Sequence, residues 1–402
     1  MVNIMIDELK QVPLMEQGME ICERKGIGHP DTICDSVMNE ISIALSKVYM
    51  DKFGAIMHHN VDKSLLAAGE TETKFGGGEM IKPMLMVFGD RATFEVGDVE
   101  VPVNEITTDT TKKWFRENMR FVDPEKHLKY QIELKRGSQA LMDIFERKGE
   151  YLGANDTSAA VGYAPMSDTE KIVFDTEKFL NSNEFKKSFP ETGEDIKIMG
   201  LRQEKNLKIT VAMAFIDQFI DSEGAYFRKK DEVSEEVKQF INSKVDMDNV
   251  ELTINALDTK GRGVGGVYLT VLGTSADGAD CGQVGRGNRA NGIIPLNRPT
   301  SSEAAAGKNP VSHVGKIYNL LSYRIANEIF EKVSGVKEVY VWLLSQIGKP
   351  INEPMITSAQ VILKPGLSLR VVSGDIEDVI QSELDNLNKF VRDLAYGRIP
   401  IC

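Results

Sequence analysis

The chain has 402 residues, 42% of them apolar and 27% charged, with a formal net charge of −12. That composition belongs to a folded protein too long for one simple core, so two or three subdomains are expected. The acidic balance works against nonspecific nucleic-acid binding, and no tract is long and apolar enough to span a membrane, so neither is expected as a partner.

The opening residues, MVNIMIDELKQ, lack the apolar core of a secretory signal, and a cytoplasmic location is expected. Glu23 to Asp35 then reads ERKGIGHPDTICD: a charge cluster of Glu23, Arg24 and Lys25, two glycines, and His29-Pro30-Asp31. This reads as a loop delivering a histidine and a carboxylate to the mouth of a helix. Pro30 suits the first helical position, where its missing N–H would have no partner, and Asp31 falls in the first turn, where the helix dipole favours an anion. Apolar residues at Ile33, Val37, Ile41, Leu45 and Val48 predict a helix to about Lys52, stopped by Gly54.

A strand is expected over 56–68, with His58-His59 read as structural. A glycine-dense loop around Gly76–Gly78 and a strand over 84–88 follow. Helices are expected over 104–121 and 138–148. The KRGS run, Lys135-Arg136-Gly137-Ser138, sits before the second of these: Ser138 suits its cap, and Lys135 and Arg136 suit phosphate contacts at its mouth. The loop GANDTS (153–158) precedes a short strand over 159–163. Next come a helix over 168–182, loop to 194, paired strands over 195–201 and 207–216, a charged helix over 222–245, and strands over 250–257 and 267–273. After a long loop, a helix over 311–334, strands over 339–344 and 357–363, and a helix over 375–396 close the chain. Trp114 and Trp342 read as core. A strand pair with a long helix recurs three times, which favours an α+β class over a doubly wound sheet.

The long loop concentrates chemistry. Arg286, Arg289, Arg298 and Lys308 are set among glycines with Asp277, Asp280 and Glu303 as the acids. Glycines let backbone amides approach an anion, and guanidinium forks match phosphate oxygens, so GRGNR favours anion binding over a solvated surface loop. GKNP is not a P-loop, since Ser302 and Asn309 break that pattern; GRGVGG precedes a strand and is no dinucleotide fingerprint. In GANDTS, Asp156 suits a nucleoside contact or, more simply, an Asx turn. Glu70 and Glu72 alternate on a strand, and Glu79 follows three glycines. The four cysteines, Cys22, Cys34, Cys281 and Cys402, contain no CxxC pair, which points to reduced thiols rather than zinc.

HPDTICD, GANDTS, GEDIKIMGLR, GRGNR and EAAAGKNPVSHVGKIYN together resemble S-adenosylmethionine synthetase (methionine adenosyltransferase), in its archaeal branch, from about Glu23 to Lys349. The resemblance implies three similar strand-pair-plus-helix subdomains about a pseudo-threefold axis, here segmented roughly as 23–135, 136–270 and 271–402. It also implies a homodimer with shared active sites, Mg²⁺ as cofactor, and ATP and L-methionine as substrates. Methionine sulfur would attack ribose C5′, and the departing triphosphate would then be cleaved. The family roles carried over place His29 at the leaving oxygen and Asp31 on Mg²⁺. Arg286, Arg289 and Lys308 fall on the triphosphate, with Lys197 or Arg202 as a further phosphate contact. Glu23 lies near metal and phosphates, Asp156 beside the nucleoside, Asp280 near methionine and adenosine, and Glu70 on a cation-linked strand. Val314 stands where the bacterial branch has a second metal-ligating aspartate, and a potassium (K+) requirement does not carry over. The alternatives are a non-catalytic nucleotide-binding paralogue of the same fold and a different Mg²⁺-dependent phosphotransferase or ligase.

Overall fold

Helix α1 (Pro30–Phe53) begins and ends where the sequence places its signals. His29 is the N-cap, Pro30 is the first helical residue, and Gly54 closes the helix at φ 69°, a left-handed conformation that suits glycine. Its Ile33, Val37, Ile41 and Leu45 are fully buried. The computed structural model describes residues 3–137 and 151–401; the helix expected over 138–148, with Ser138, and Cys402 lie outside these.

In chain order the main strands are β1 (Ile4–Glu8), β2 (Met19–Lys25), β3 (His59–Ala67), β4 (Met84–Ala92), β5 (Leu128–Arg136), β6 (Ala159–Ala164), β7 (Thr192–Gln203), β8 (Asn206–Ile216), β9 (Asn249–Ile254), β10 (Gly282–Gln283), β11 (Val336–Leu344) and β12 (Ile356–Leu363). The other helices are α2 (Val103–Asn118), α3 (Asp168–Leu180), α4 (Asn183–Ser188), α5 (Glu223–Lys244), α6 (Val314–Lys332), α7 (Leu369–Asp385) and α8 (Leu387–Ala395).

Three sheets repeat one wiring: β10-β3-β4-β5, β2-β7-β8-β9 and β6-β11-β12-β1. In each, the two middle strands form an antiparallel pair, the first strand runs antiparallel to its neighbour, and the fourth runs parallel to its own. A helix precedes each pair (α1, α3, α6) and another follows it (α2, α5, α7). In the third unit the parallel strand is β1, from near the chain's start. Each sheet buries one face under its helices. Phe88 and Trp114 lie in one core, Ile198 and Val237 in the second, and Val341 and Ile376 in the third. The mixed α+β class and its threefold strand-pair-plus-helix repeat stand.

The expected segment borders do not follow sheet membership. β2 joins the sheet of residues 192–254, with Ile294–Pro295 paired on its far side, while β1 and β6 join that of residues 336–363 as its edge strands. The charge cluster at Glu23 lies on strand β2, not on a loop. The loop expected before residue 194 holds α4, capped by Ser182. The last helix is split at Asn386. The strand expected over 267–273 is reduced to Leu269–Thr270. Trp114 is core, but Trp342 is half-buried on β11, its indole N–H donating to Gln360 at 3.1 Å. His59 is fully buried against Ser42, in keeping with a structural role.

Candidate active site

Strand alternation builds the floor of the site. On β2, Glu20, Cys22 and Arg24 turn toward the helices, so Glu23 and Lys25 turn to the opposite face. On the adjoining β7, buried Ile196 and Ile198 flank half-buried Lys197, which pairs in register with Lys25. Lys197 Nζ lies 3.5 Å from Glu23 Oε2, and Lys25 Nζ lies 2.9 Å from Asp31 Oδ2. Lys25 Nζ also donates to the carbonyl of Arg286 at 2.7 Å. Carboxylates and lysines therefore alternate on one sheet face at the mouth of α1.

His29 is buried there. Its Nδ1 accepts the N–H of Asp31 at 3.2 Å, the N-cap contact of α1. Burial, then the charge of Lys25, push the imidazole down to about 4. The ring is therefore neutral near pH 7. With Nδ1 occupied as an acceptor, its proton sits on Nε2 as a hydrogen-bond donor.

A cavity of about 540 Å³ opens beside this cluster. His29, Lys197 and Asp280 line its polar side, and Ala212, Leu257 and Tyr268 line its apolar side. Asp195 lies in its wall, where Oδ2 accepts both the N–H (2.8 Å) and the hydroxyl (2.5 Å) of Ser275. Burial raises this carboxyl to about 7 despite those bonds. An apolar shelf beside a cationic and acidic rim suits a ligand with a flat or aliphatic part and a charged tail.

Lys308 belongs to a second cluster. Its Nζ lies 2.5 Å from Asp62 Oδ2 and 3.1 Å from Glu303 Oε2. Burial alone would raise the Asp62 carboxyl, but Lys308 and neighbouring hydrogen bonds hold it below the usual range. Asp62 sits on β3 with Lys63, and a groove of about 270 Å³ lined by both also reaches Gln283. Gln283 in turn donates its N–H to Asp31 Oδ1 at 2.9 Å. Arg289 lines a small pocket with Glu303 and Asn319 on this side. Asp156 is exposed, and its Oδ1 accepts the N–H of the next residue, Thr157, at 2.7 Å, one residue short of an Asx turn. Its neighbour Asn155 accepts from Val314 at the start of α6.

Other expected residues lie elsewhere. Arg202 is not open to phosphate: it is buried, 3.3 Å from Glu20 Oε2, and donates to the carbonyls of Leu14 and Gln17. Arg298 is likewise spent on Glu170, Glu338 and Tyr340 inside the fold. Lys135 and Arg136 end strand β5, exposed and paired with Glu133 and Glu95, and Gly137 packs against His58. Glu70 is exposed and paired with Lys82, although its hairpin docks on the loop of Asp277 through Gly69. Asp195, Ser275, Tyr268 and Asp62 escaped the sequence reading, and Lys25 entered it only as a member of the charge cluster before His29. Asp195 stands inside the GEDIKIMGLR motif, which was its one signal.

A histidine, lysines and carboxylates converging on one face of a repeated α+β fold define an enzyme acting on charged substrates. The sequence model of the family described as S-adenosylmethionine synthetase (AdoMet synthetase) matches residues 2–398, and the chain belongs to that family. It is 46% identical over 397 residues to the S-adenosylmethionine synthase of Methanothermobacter thermautotrophicus, with 99% of each chain covered. It is 46% identical over 390 residues to a protein of Aquifex aeolicus named probable S-adenosylmethionine synthase, with 96% of each covered. Among solved structures, an unusual S-adenosylmethionine synthetase from Campylobacter jejuni superposes with a TM-score of 0.61 over 94% of each chain at 15% identity, a likeness of fold alone. Among the described residues, no helix is long and apolar enough to cross a membrane.

Proposed function

We propose that the chain converts ATP, L-methionine and water to S-adenosylmethionine, phosphate and diphosphate in the cavity beside His29. The observation that carries this reading is the family match along the whole chain, joined to a neutral imidazole donor set among Lys25, Lys197 and Asp31. A thioether sulfur bears no proton, so its attack on ribose C5′ needs no base. The barrier lies in charge growing on the departing triphosphate, and catalysis is then alignment and electrostatic stabilisation. The Nε2–H of His29 suits the leaving O5′. Lys197 lines the same rim, Lys25 joins it through Asp31, and Lys25 in turn holds the carbonyl of Arg286, whose side chain is exposed.

Asp31 fits a magnesium ion carried in with the nucleotide. Among the described residues no group of three His, Cys, Asp or Glu side chains forms a metal cage. Magnesium bound to phosphates characteristically takes one or two protein carboxylates and completes its shell with phosphate and water oxygens. Bound there, it would neutralise charge on the polyphosphate. Asp280 suits the methionine and adenosine end of the cavity.

The Lys308 cluster is separate from this cavity within one chain. That separation, with exposed Leu65, Met19, Met5 and Ile356 on sheet strands, supports a homodimer in which two subunits complete each site. Incubating the protein with ATP, Mg²⁺ and methionine and analysing products by mass spectrometry tests the reading. S-adenosylmethionine is the expected product. ATP turnover with a phosphorylated or adenylylated product would favour a phosphotransferase or ligase instead.

A further inference from the structure

A second carboxylate on α1 meets the arginine loop without facing the cavity. Asp35 lies one turn beyond Asp31 and is buried. Its Oδ1 accepts the N–H of Gly285 at 2.8 Å, and its Oδ2 accepts that of Gly287 at 3.1 Å. Asp31 Oδ1 accepts the N–H of Gln283. Three alternate amides of one loop, at 283, 285 and 287, are thus closed by two carboxylates spaced four residues apart, which places them on one face of the helix.

Arg286 sits between the last two of these amides, and its own carbonyl is held by Lys25. The backbone is pinned on both sides of Arg286 while its side chain is exposed. Gly287 makes the approach possible, since a Cβ there would overlap the Asp35 carboxylate. Burying a carboxylate costs free energy, and an apolar residue would pack at this position more cheaply. The two hydrogen bonds it accepts both come from the loop.

Building on the reaction proposed above, we propose that Asp35 is a positioning residue: it fixes the backbone of Arg286 so that the guanidinium meets the nucleotide's polyphosphate chain, and it sets turnover without touching substrate. Asp35→Asn keeps one acceptor oxygen and loses the other at almost unchanged volume. Turnover is expected to fall on the order of tenfold to a hundredfold, the scale of a misplaced catalytic group. The methionine KM should stay within about twofold, because Asp280, at the methionine end of the cavity, lies upstream of the three pinned amides and its own N–H is held by the carbonyl of Ser275. Affinity for inorganic tripolyphosphate, measured by calorimetry, should fall together with kcat.

The deciding arm is a double-mutant cycle. In an Arg286→Ala background, Asp35→Asn should change kcat by less than about threefold, since no guanidinium is left to place. Losses that multiply in the double variant would overturn the proposal, as would Asp35→Asn with normal kcat. Should Asp35→Asn not fold, Gly287→Ala displaces the loop while leaving the carboxylate, and the same cycle is read with it. A wild-type chain that makes no S-adenosylmethionine would defeat the functional reading itself, a result distinct from an active wild type with additive variants.

Discussion

Lys308 Nζ and Asp62 Oδ2 stand 2.5 Å apart, with both side chains almost wholly out of water. A lysine expected to meet triphosphate is therefore also half of a buried ion pair. Removing it alone leaves Asp62 Oδ2 without its partner while Oδ1 keeps Lys63 and Asn60, which costs less than the roughly 3–5 kcal/mol of a wholly uncompensated buried charge. Lys308→Ala should lower both the urea midpoint and turnover. Adding Asp62→Asn should restore much of the midpoint and none of the turnover. Recovery of both in the double variant would show that Lys308 serves only the fold.

His29 is expected to matter through one hydrogen. His29→Ala should lower kcat by about a hundredfold or more, the scale of losing one preorganised donor to a developing oxyanion. Methionine KM should change little. Loss of the N-cap should cost a further ~1 kcal/mol of stability, seen separately in denaturation. Steady-state kinetics with near-normal turnover would remove His29 from the leaving-group side.

Lys197 and Arg202 lie on the same strand with opposite fates. Arg202→Ala breaks a buried pair with Glu20, so stability should fall by about 3 kcal/mol while the folded protein keeps normal kcat. Lys197→Ala removes a half-exposed pair worth at most ~1 kcal/mol. Its turnover should fall tenfold or more, about what one lost phosphate contact costs. Denaturation and kinetics on the two variants distinguish these roles; the reverse pattern would exchange the assignments.

Asp195 makes stability depend on pH. Its folded pKa of about 7 exceeds the ordinary carboxylate value of 3.8, with burial as the main cause. Between those values the folded chain retains a proton that the unfolded chain releases. The stability this group contributes is full below about pH 4 and is lost as pH rises through 7. Relative to wild type, Asp195→Asn should therefore gain stability between pH 5 and pH 8, measured as urea midpoints. Parallel curves would show that Asp195 is ionised throughout.

Much of this was legible in the residues. Helix α1 announced itself through Pro30, the spacing from Ile33 to Val48, and Gly54, because local capping and periodicity decide a long helix. The paired strands β7 and β8 were visible for the same reason. Strand β2 was not, because its alternation mixes Glu20 and Arg24 inward with Ile21 outward: the inward charges are paid for by Arg202 and Glu177, far along the chain. The same blindness misled the reading of Arg202 and Arg298. An arginine in a glycine-rich or basic stretch looks free until its distant carboxylate is seen. His29 and Asp31 stood out because chemistry and capping coincide in three consecutive residues, His29-Pro30-Asp31. Asp35 and Asp195 look like ordinary polar residues of a helix and a strand, and only the fold shows which amides they hold.

In the proposed reaction carbon, not phosphorus, is attacked, and the oxygen departs beside His29. ATP carrying ¹⁸O in the bridging 5′ position, incubated with Mg²⁺, methionine and the protein, tests it directly by mass spectrometry. S-adenosylmethionine should emerge free of label, with all the ¹⁸O in the inorganic phosphate products. Label retained in an adenylylated product would contradict it.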